Sequence, residues 1–135
     1  MRVVVQGSQA AHDPLLVAMR TALQTQAGVK VEEAQDVPTL VLSGEGFESQ
    51  VLSVSATGKV AEYLLKYEVS FRLAGPEGRE LAPAQTVKLH RDLSFDRLNV
   101  IAKEKEEEEL RRDMRRDAVQ QILRRLAKLR VNSEK

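Results

Sequence analysis

The chain reads as an α/β two-layer domain: a small mixed β-sheet of about four strands packed against two helices, in the order β-α-β-β-β-α. Three observations predict it. A β-branched run (Val3, Val4, Val5), a helical stripe and a second extended run (Val29, Val31) follow one another at the scale of a βαβ unit. From Tyr63 to Leu73 apolar and polar residues alternate, the period of a strand with one face in a core. From Leu110 to Leu126 an apolar residue recurs every fourth position, the stripe of a core-facing helix. The 135 residues suit one domain, expected over residues 1–131 with a frayed tail at 132–135.

Each element has a local cause. Gly7 breaks the first valine run, and Asp13-Pro14 is a helix start: the carboxylate caps an amide, and proline suits the first helical position because its missing N–H has no intrahelical partner there. Leu15, Met19, Ala22 and Leu23 make one apolar stripe, and Gly28 suits the helix end. From Pro38, "TLVLSGEGFESQVLSVSA" is β-type sequence interrupted by Gly44 and Gly46, which predicts a long strand with a bulge or bend. A turn at Thr57-Gly58-Lys59 leads into the alternating strand, where Tyr63, Leu65, Tyr67, Val69, Phe71 and Leu73 face the core. Glu62, Leu64, Lys66, Glu68, Ser70 and Arg72 take the other face. "AGPEGRE" reverses the chain, and the return strand carries Val87, Leu89, Leu93 and Phe95 in one phase, with Arg91 anomalously in that phase. A helix is expected from about Arg97 to Arg130. Because "KEKEEEEL" has no apolar residue for more than a turn, that part is expected to project past the sheet.

Composition excludes several functions. Lys plus Arg number 21 against 20 Asp plus Glu, a net charge of +1, so anion binding requires a local patch. With no cysteine there is no disulfide, thiolate catalysis or cysteine-zinc site. No apolar run approaches the roughly 20 residues of a membrane span, and "MRVVVQGSQ" lacks the apolar region and cleavage site of a signal peptide, so a soluble chain is expected.

Catalysis is poorly supplied. His12 and His90 match no metal or triad spacing; Asp92 shares the strand face of His90 without an assignable nucleophile. The run Glu104, Glu106 to Glu109 lacks the loop glycine of a calcium site and reads as a solvated helix face. "GSQAAHDP" occupies the position of a phosphate loop without its GK[ST]. The expectation is no enzyme, no catalytic residues, no metal and no cofactor. Arg111, Arg112, Arg115, Arg116, Arg124 and Arg125 on one helix offer an alternative function, a nucleic-acid-binding module. The interleaved Glu107, Glu108, Asp113 and Asp117 favour a face of ion pairs instead. Topology suggests a subtler cluster. If the two long strands form a hairpin, the second ends beside the beginning of the first, gathering Lys59, Arg97 and Lys103 near the amides at the start of the last helix.

"DPLLVAMRTALQTQAGVKV", "VPTLVL", the strand opening Ala61-Glu62-Tyr63, the return strand "VKLHRDLSFD", then "IAK" and "RRDMRRDAVQQILRRL", in that order, resemble the LPS-assembly lipoprotein family (LptE) over nearly the whole chain. The resemblance implies a small mixed sheet on two helices. It implies a periplasm-facing lipoprotein of the outer membrane that plugs the LPS transport β-barrel protein (LptD), assists its assembly and binds lipopolysaccharide for delivery to the outer leaflet, without nucleic acid as a partner. It also implies a lipid anchor on an N-terminal cysteine after a signal peptide, neither of which is in this sequence. Lys103 matches the family lysine associated with lipopolysaccharide binding. A second basic position of the family falls on Ala56, with Lys59 three residues on as its substitute. The expected ligands of lipopolysaccharide phosphate are therefore Lys103, Lys59 and Arg97. Arg91 matches a family arginine, with two readings open: a paired structural charge, or a bulge that rotates it outward to bind.

Overall fold

The computed structural model describes residues 2–7, 14–26, 30–31, 37–75, 77, 79–96 and 99–133. The elements are β1 (Arg2–Gly7), α1 (Pro14–Gln26), β2 (Lys30–Val31), β3 (Thr39–Leu42), β4 (Gly46–Val54), β5 (Val60–Ala74), β6 (Glu80–Asp96) and α2 (Val100–Ser133). All strands join one mixed sheet: β1 runs parallel to β2 and β3, while β5 is antiparallel to β3, β4 and β6. This is the two-layer α/β architecture that the sequence predicts, with the parallel β1–β2 pair that a βαβ unit requires.

The alternating strand organises the sheet. β6 covers one edge of β5 from Val60 to Ala74. The other edge is shared end to end, β4 opposite Ala61 to Glu68 and β3 opposite Phe71 to Ala74. The long bent strand is thus two segments on one edge, which adds one strand; with the two-residue β2 counted as well, the sheet has six strands where about four are expected. Through the break at 43–45 the chain stays tied to β5: Ser43 N donates to Ser70 O and Ser70 N to Ser43 Oγ, both at 2.8 Å. A second irregularity, between Val51 and Ser53, marks a bulge near the end of β4.

β6 begins seven residues before the expected Val87 and contains Pro83. Proline is tolerated there because, among the described residues, β6 pairs only with β5 and so forms a sheet edge. α2 begins at Val100, later than expected, because Asn99 caps it: Asn99 Oδ1 accepts from Ala102 N at 3.3 Å, and Lys103 N donates to Asn99 O at 3.0 Å. It continues to Ser133, past Arg130. α1 starts at Pro14 as expected; Asp13 and Gly28 lie outside the described residues.

The core lies between the helices and one sheet face. Leu15, Met19 and Leu23 of α1 and Met114, Ala118, Val119 and Ile122 of α2 meet Val5, Leu40, Leu42, Leu65, Tyr67, Val69, Phe71 and Val87. The odd-numbered positions of β5 are buried from Ala61 to Phe71, as period two requires.

Candidate functional site

The hairpin of β5 and β6 brings its own two ends side by side, with Val60 paired to Asp96. Its neighbouring loop is tightly specified. Gly58 N donates to Ser55 O at 2.9 Å, Ser55 N to Val60 O at 2.7 Å and Val60 N to Ser55 Oγ at 3.1 Å. Gly58 has φ +73°, a conformation that costs a residue with a Cβ, so glycine belongs there. Lys59, the next residue, is exposed.

Lys103 lies on the helix side of the sheet. Its Nζ sits 4.3 Å from the centroid of the Tyr63 ring and 2.9 Å from Glu107 Oε1, to which Ser49 Oγ of β4 also donates at 3.3 Å. The Lys103 and Glu107 side chains are only 23% and 19% exposed. The acidic stretch of α2 therefore does not project past the sheet as expected. A lysine can lay its methylene stem on an aromatic surface and turn its charge to a ring face, so a segment without apolar residues still packs. Tyr63 is three residues from Val60, about 10 Å along a strand. The anchor of Lys103 and the loop bearing Lys59 thus belong to the same end of the sheet. Arg97 lies outside the described residues.

Farther along the same helix face, Arg115 donates from Nε and Nη2 to the two oxygens of Glu45, at 2.8 and 3.0 Å. Tyr67 Oη donates to the same carboxylate. These side chains are 13% and 7% exposed for Arg115 and Glu45. Burial, and then the hydrogen bond to Glu45, push the Tyr67 hydroxyl far above the ordinary phenol range; the Glu45 carboxylate likewise raises Arg115 despite the opposing effect of burial. Arg111 places its guanidinium 4.9 Å from the Phe47 centroid, and its buried Nε has no hydrogen-bond partner. Arg91 stands opposite Leu65 in an unshifted register. It pairs with Asp117 at 2.9 Å and Asp113 at 3.8 Å, so the paired charge is the arrangement present at this position.

The basic face that an alternative nucleic-acid interface requires is reduced: Arg115 turns inward onto Glu45, while Arg112 and Arg116 stay exposed with Glu108 and Asp113 beside them. The other sheet face carries a shallow groove of about 870 Å³ lined by Glu48, Lys66, Glu68, Lys88, His90 and Asp92 among others. Opposite charges stand directly across it at Glu48–Lys66 and Glu68–Lys88. His90 is exposed there; of the GSQAAHDP segment, Gly7 ends β1 and Pro14 begins α1, while residues 8–13, His12 among them, lie outside the described residues. Among the described residues no cluster of His, Asp and Glu is disposed to hold a metal ion, and no helix is long and apolar enough to cross a membrane.

Sequence reasoning missed Glu45, Tyr67 and Ser49 as partners; it placed Glu107 and Arg111 in a face of ion pairs but did not foresee Glu107 on Lys103 or Arg111 over Phe47. One signal was available for Arg115 alone: it lies one four-residue step before the buried Val119 and so falls near the core-facing stripe, whereas the roughly 40° turned at each such step breaks the link before Lys103.

The family described as "LptE: Lipopolysaccharide-assembly" matches residues 1–126. The LPS-assembly lipoprotein LptE of Yersinia pestis (strain Pestoides F) is 32% identical over 117 residues, covering 85% of this chain and 56% of that protein. The chain thus spans about half the length of the curated relatives it matches. The crystal structure of rare lipoprotein B from Shewanella oneidensis superposes with a TM-score of 0.85 at 34% identity, covering 100% of both chains. Lipoprotein B from Nitrosomonas europaea gives 0.78 at 33% identity, covering 93% of this chain and 81% of that one. A minor lipoprotein from Acinetobacter baumannii shares the fold, with a TM-score of 0.79 at 24% identity over 96% and 92% of the two chains.

Proposed function

Because the chain belongs to the LptE family of lipopolysaccharide-assembly proteins, we propose that it serves as a non-enzymatic subunit of lipopolysaccharide assembly. In this reading residues 1–131 are one domain, held at the periplasmic side of the outer membrane by an N-terminal lipid. The domain fills the lumen of the LPS transport β-barrel, assists barrel assembly and takes lipopolysaccharide through the phosphates of its lipid A end. Lys103 is the principal phosphate ligand and Lys59 the second, with Arg97 beside them; Arg91 is a structural charge.

The observation that carries this reading is the position of Lys103. A cation in the first turn of a helix opposes the macrodipole, whose positive end lies there. Lys103 nevertheless stands four residues after the capping Asn99, close to the loop that bears Lys59. Helix stability does not call for that charge, whereas an arriving phosphate does: it gains the ammonium, the second lysine and the positive end of the helix. The sheet face carrying Glu62, Lys66, Glu68 and Arg72, with charges paired across strands, is suited to the polar interior of a barrel.

Lys103→Glu should lower lipopolysaccharide binding by about tenfold or more, the scale of a charge-assisted hydrogen bond turned into repulsion, with an unchanged far-ultraviolet circular dichroism spectrum. Unchanged binding by the folded variant removes Lys103 from the site.

A further inference from the structure

The Lys103 ammonium already has an anion on it. Resting on the assignment of Lys103 as a phosphate ligand, we propose that Glu107 is a resident competitor: its carboxylate occupies the anion position of the site, and a phosphate enters by displacing it.

Ordinary helix support does not account for the pair. A lysine four residues before a glutamate is the weaker orientation of an i,i+4 ion pair, and the first turn is the wrong end for a cation. The carboxylate is also held from outside the helix, since Ser49 of β4 donates to the same oxygen that Lys103 contacts. Ser49 stands opposite the buried Leu65 and so belongs to the helix-facing side of the sheet. With both charged side chains about four-fifths buried, salt screens this contact less than it does an exposed pair.

The displaced carboxylate has a second place to go. Arg111 lies four residues beyond Glu107, in the favourable orientation, and its Nε is a buried donor without an acceptor. Glu107 therefore stands between two cations on one row, Lys103 on one side and Arg111 on the other. When it turns from the first to the second, the ammonium over Tyr63 is freed and the orphaned guanidinium nitrogen gains its acceptor. A phosphate monoester, with close to two negative charges and three acceptor oxygens, outbids a single carboxylate at Lys103; a singly charged carboxylate ligand does not. The arrangement thus sets a threshold that favours phosphorylated ligands.

The test compares binding of lipopolysaccharide and of its dephosphorylated form to the full chain and to Glu107→Gln, Glu108→Gln, Lys103→Gln and the Lys103→Gln/Glu107→Gln double variant. Glu107→Gln should bind the phosphorylated form about two- to fivefold more tightly, the worth of a partly exposed ion pair. Ser49→Ala should give a smaller gain in the same direction. The gain should vanish with the dephosphorylated ligand and in the Lys103→Gln background. An equal gain from Glu108→Gln, or one that persists without Lys103, reduces the effect to net charge and overturns the proposal. No gain from Glu107→Gln, while Lys103→Gln still weakens binding, overturns the competitor and leaves the site. No effect of Lys103→Gln removes the site itself, and the competitor with it.

Discussion

From Met114 to Ile122, α2 meets the sheet through the buried side chains of Met114, Ala118, Val119 and Ile122, whereas from Lys103 to Arg115 the same helix meets it through an ammonium, a carboxylate and two guanidinium groups. The apolar stretch gains from removing surface from water, an effect without direction that tolerates small changes of angle. The charged stretch loses hydration and recovers it only where each partner is correctly placed. Such contacts are a poor way to hold a helix down. Their value lies in position: Glu45, in the break between β3 and β4, is reached by Arg115 from α2 and Tyr67 from β5, so three elements are registered at one carboxylate. The teaching of the contrast is that the C-terminal part of α2 supplies adhesion, while its N-terminal part supplies alignment and charge.

The contrast can be broken by mutation. Glu45→Ala strands the Arg115 guanidinium and the Tyr67 hydroxyl together and should cost about 3–5 kcal/mol, read from urea unfolding. A Glu45→Leu/Tyr67→Phe/Arg115→Met triple variant should recover most of that loss, because it leaves neither a charge nor a buried hydroxyl unpaired; failure to recover would show that the polar cluster contributes adhesion after all. Met114→Ala, in the apolar half, should cost about 2–5 kcal/mol by leaving a cavity. It should leave lipopolysaccharide affinity unchanged in protein that remains folded, and a drop in affinity would erase the division of labour.

The smallest effect is in pH. The folded state holds the Tyr67 proton more tightly than the unfolded chain, whose phenol titrates near the ordinary value of about 10. The contribution is therefore fully present below that pH and lost as pH rises above it. The urea midpoint should fall above about pH 10, and Tyr67→Phe, although less stable at neutral pH, should have a flatter profile there. Parallel profiles for the two proteins would contradict the linkage.

Much of the framework is legible in the amino-acid order because secondary structure leaves a period in it. The alternation of Tyr63 to Phe71 and the stripe from Leu110 to Leu126 name their buried faces residue by residue, and the positive φ of Gly58 is foreshadowed by Thr57-Gly58-Lys59. Arg91 announces itself as an anomaly of phase; only the packed helix supplies Asp117 as the reason. The break at Ser43–Glu45 is visible as a disturbance between two glycines, but not its purpose.

By itself, then, the sequence determined which faces are apolar, where the hairpin turns and that Lys59 and the start of the last helix share one end of the sheet. The tertiary structure alone decided which charge meets which: Glu45 finds Arg115 at a separation of 70 residues, and Ser49 finds Glu107 at 58. The reason is that burial of a face is a local property repeated along an element. An ion pair is a single meeting of two side chains, and where it forms depends on how whole elements cross.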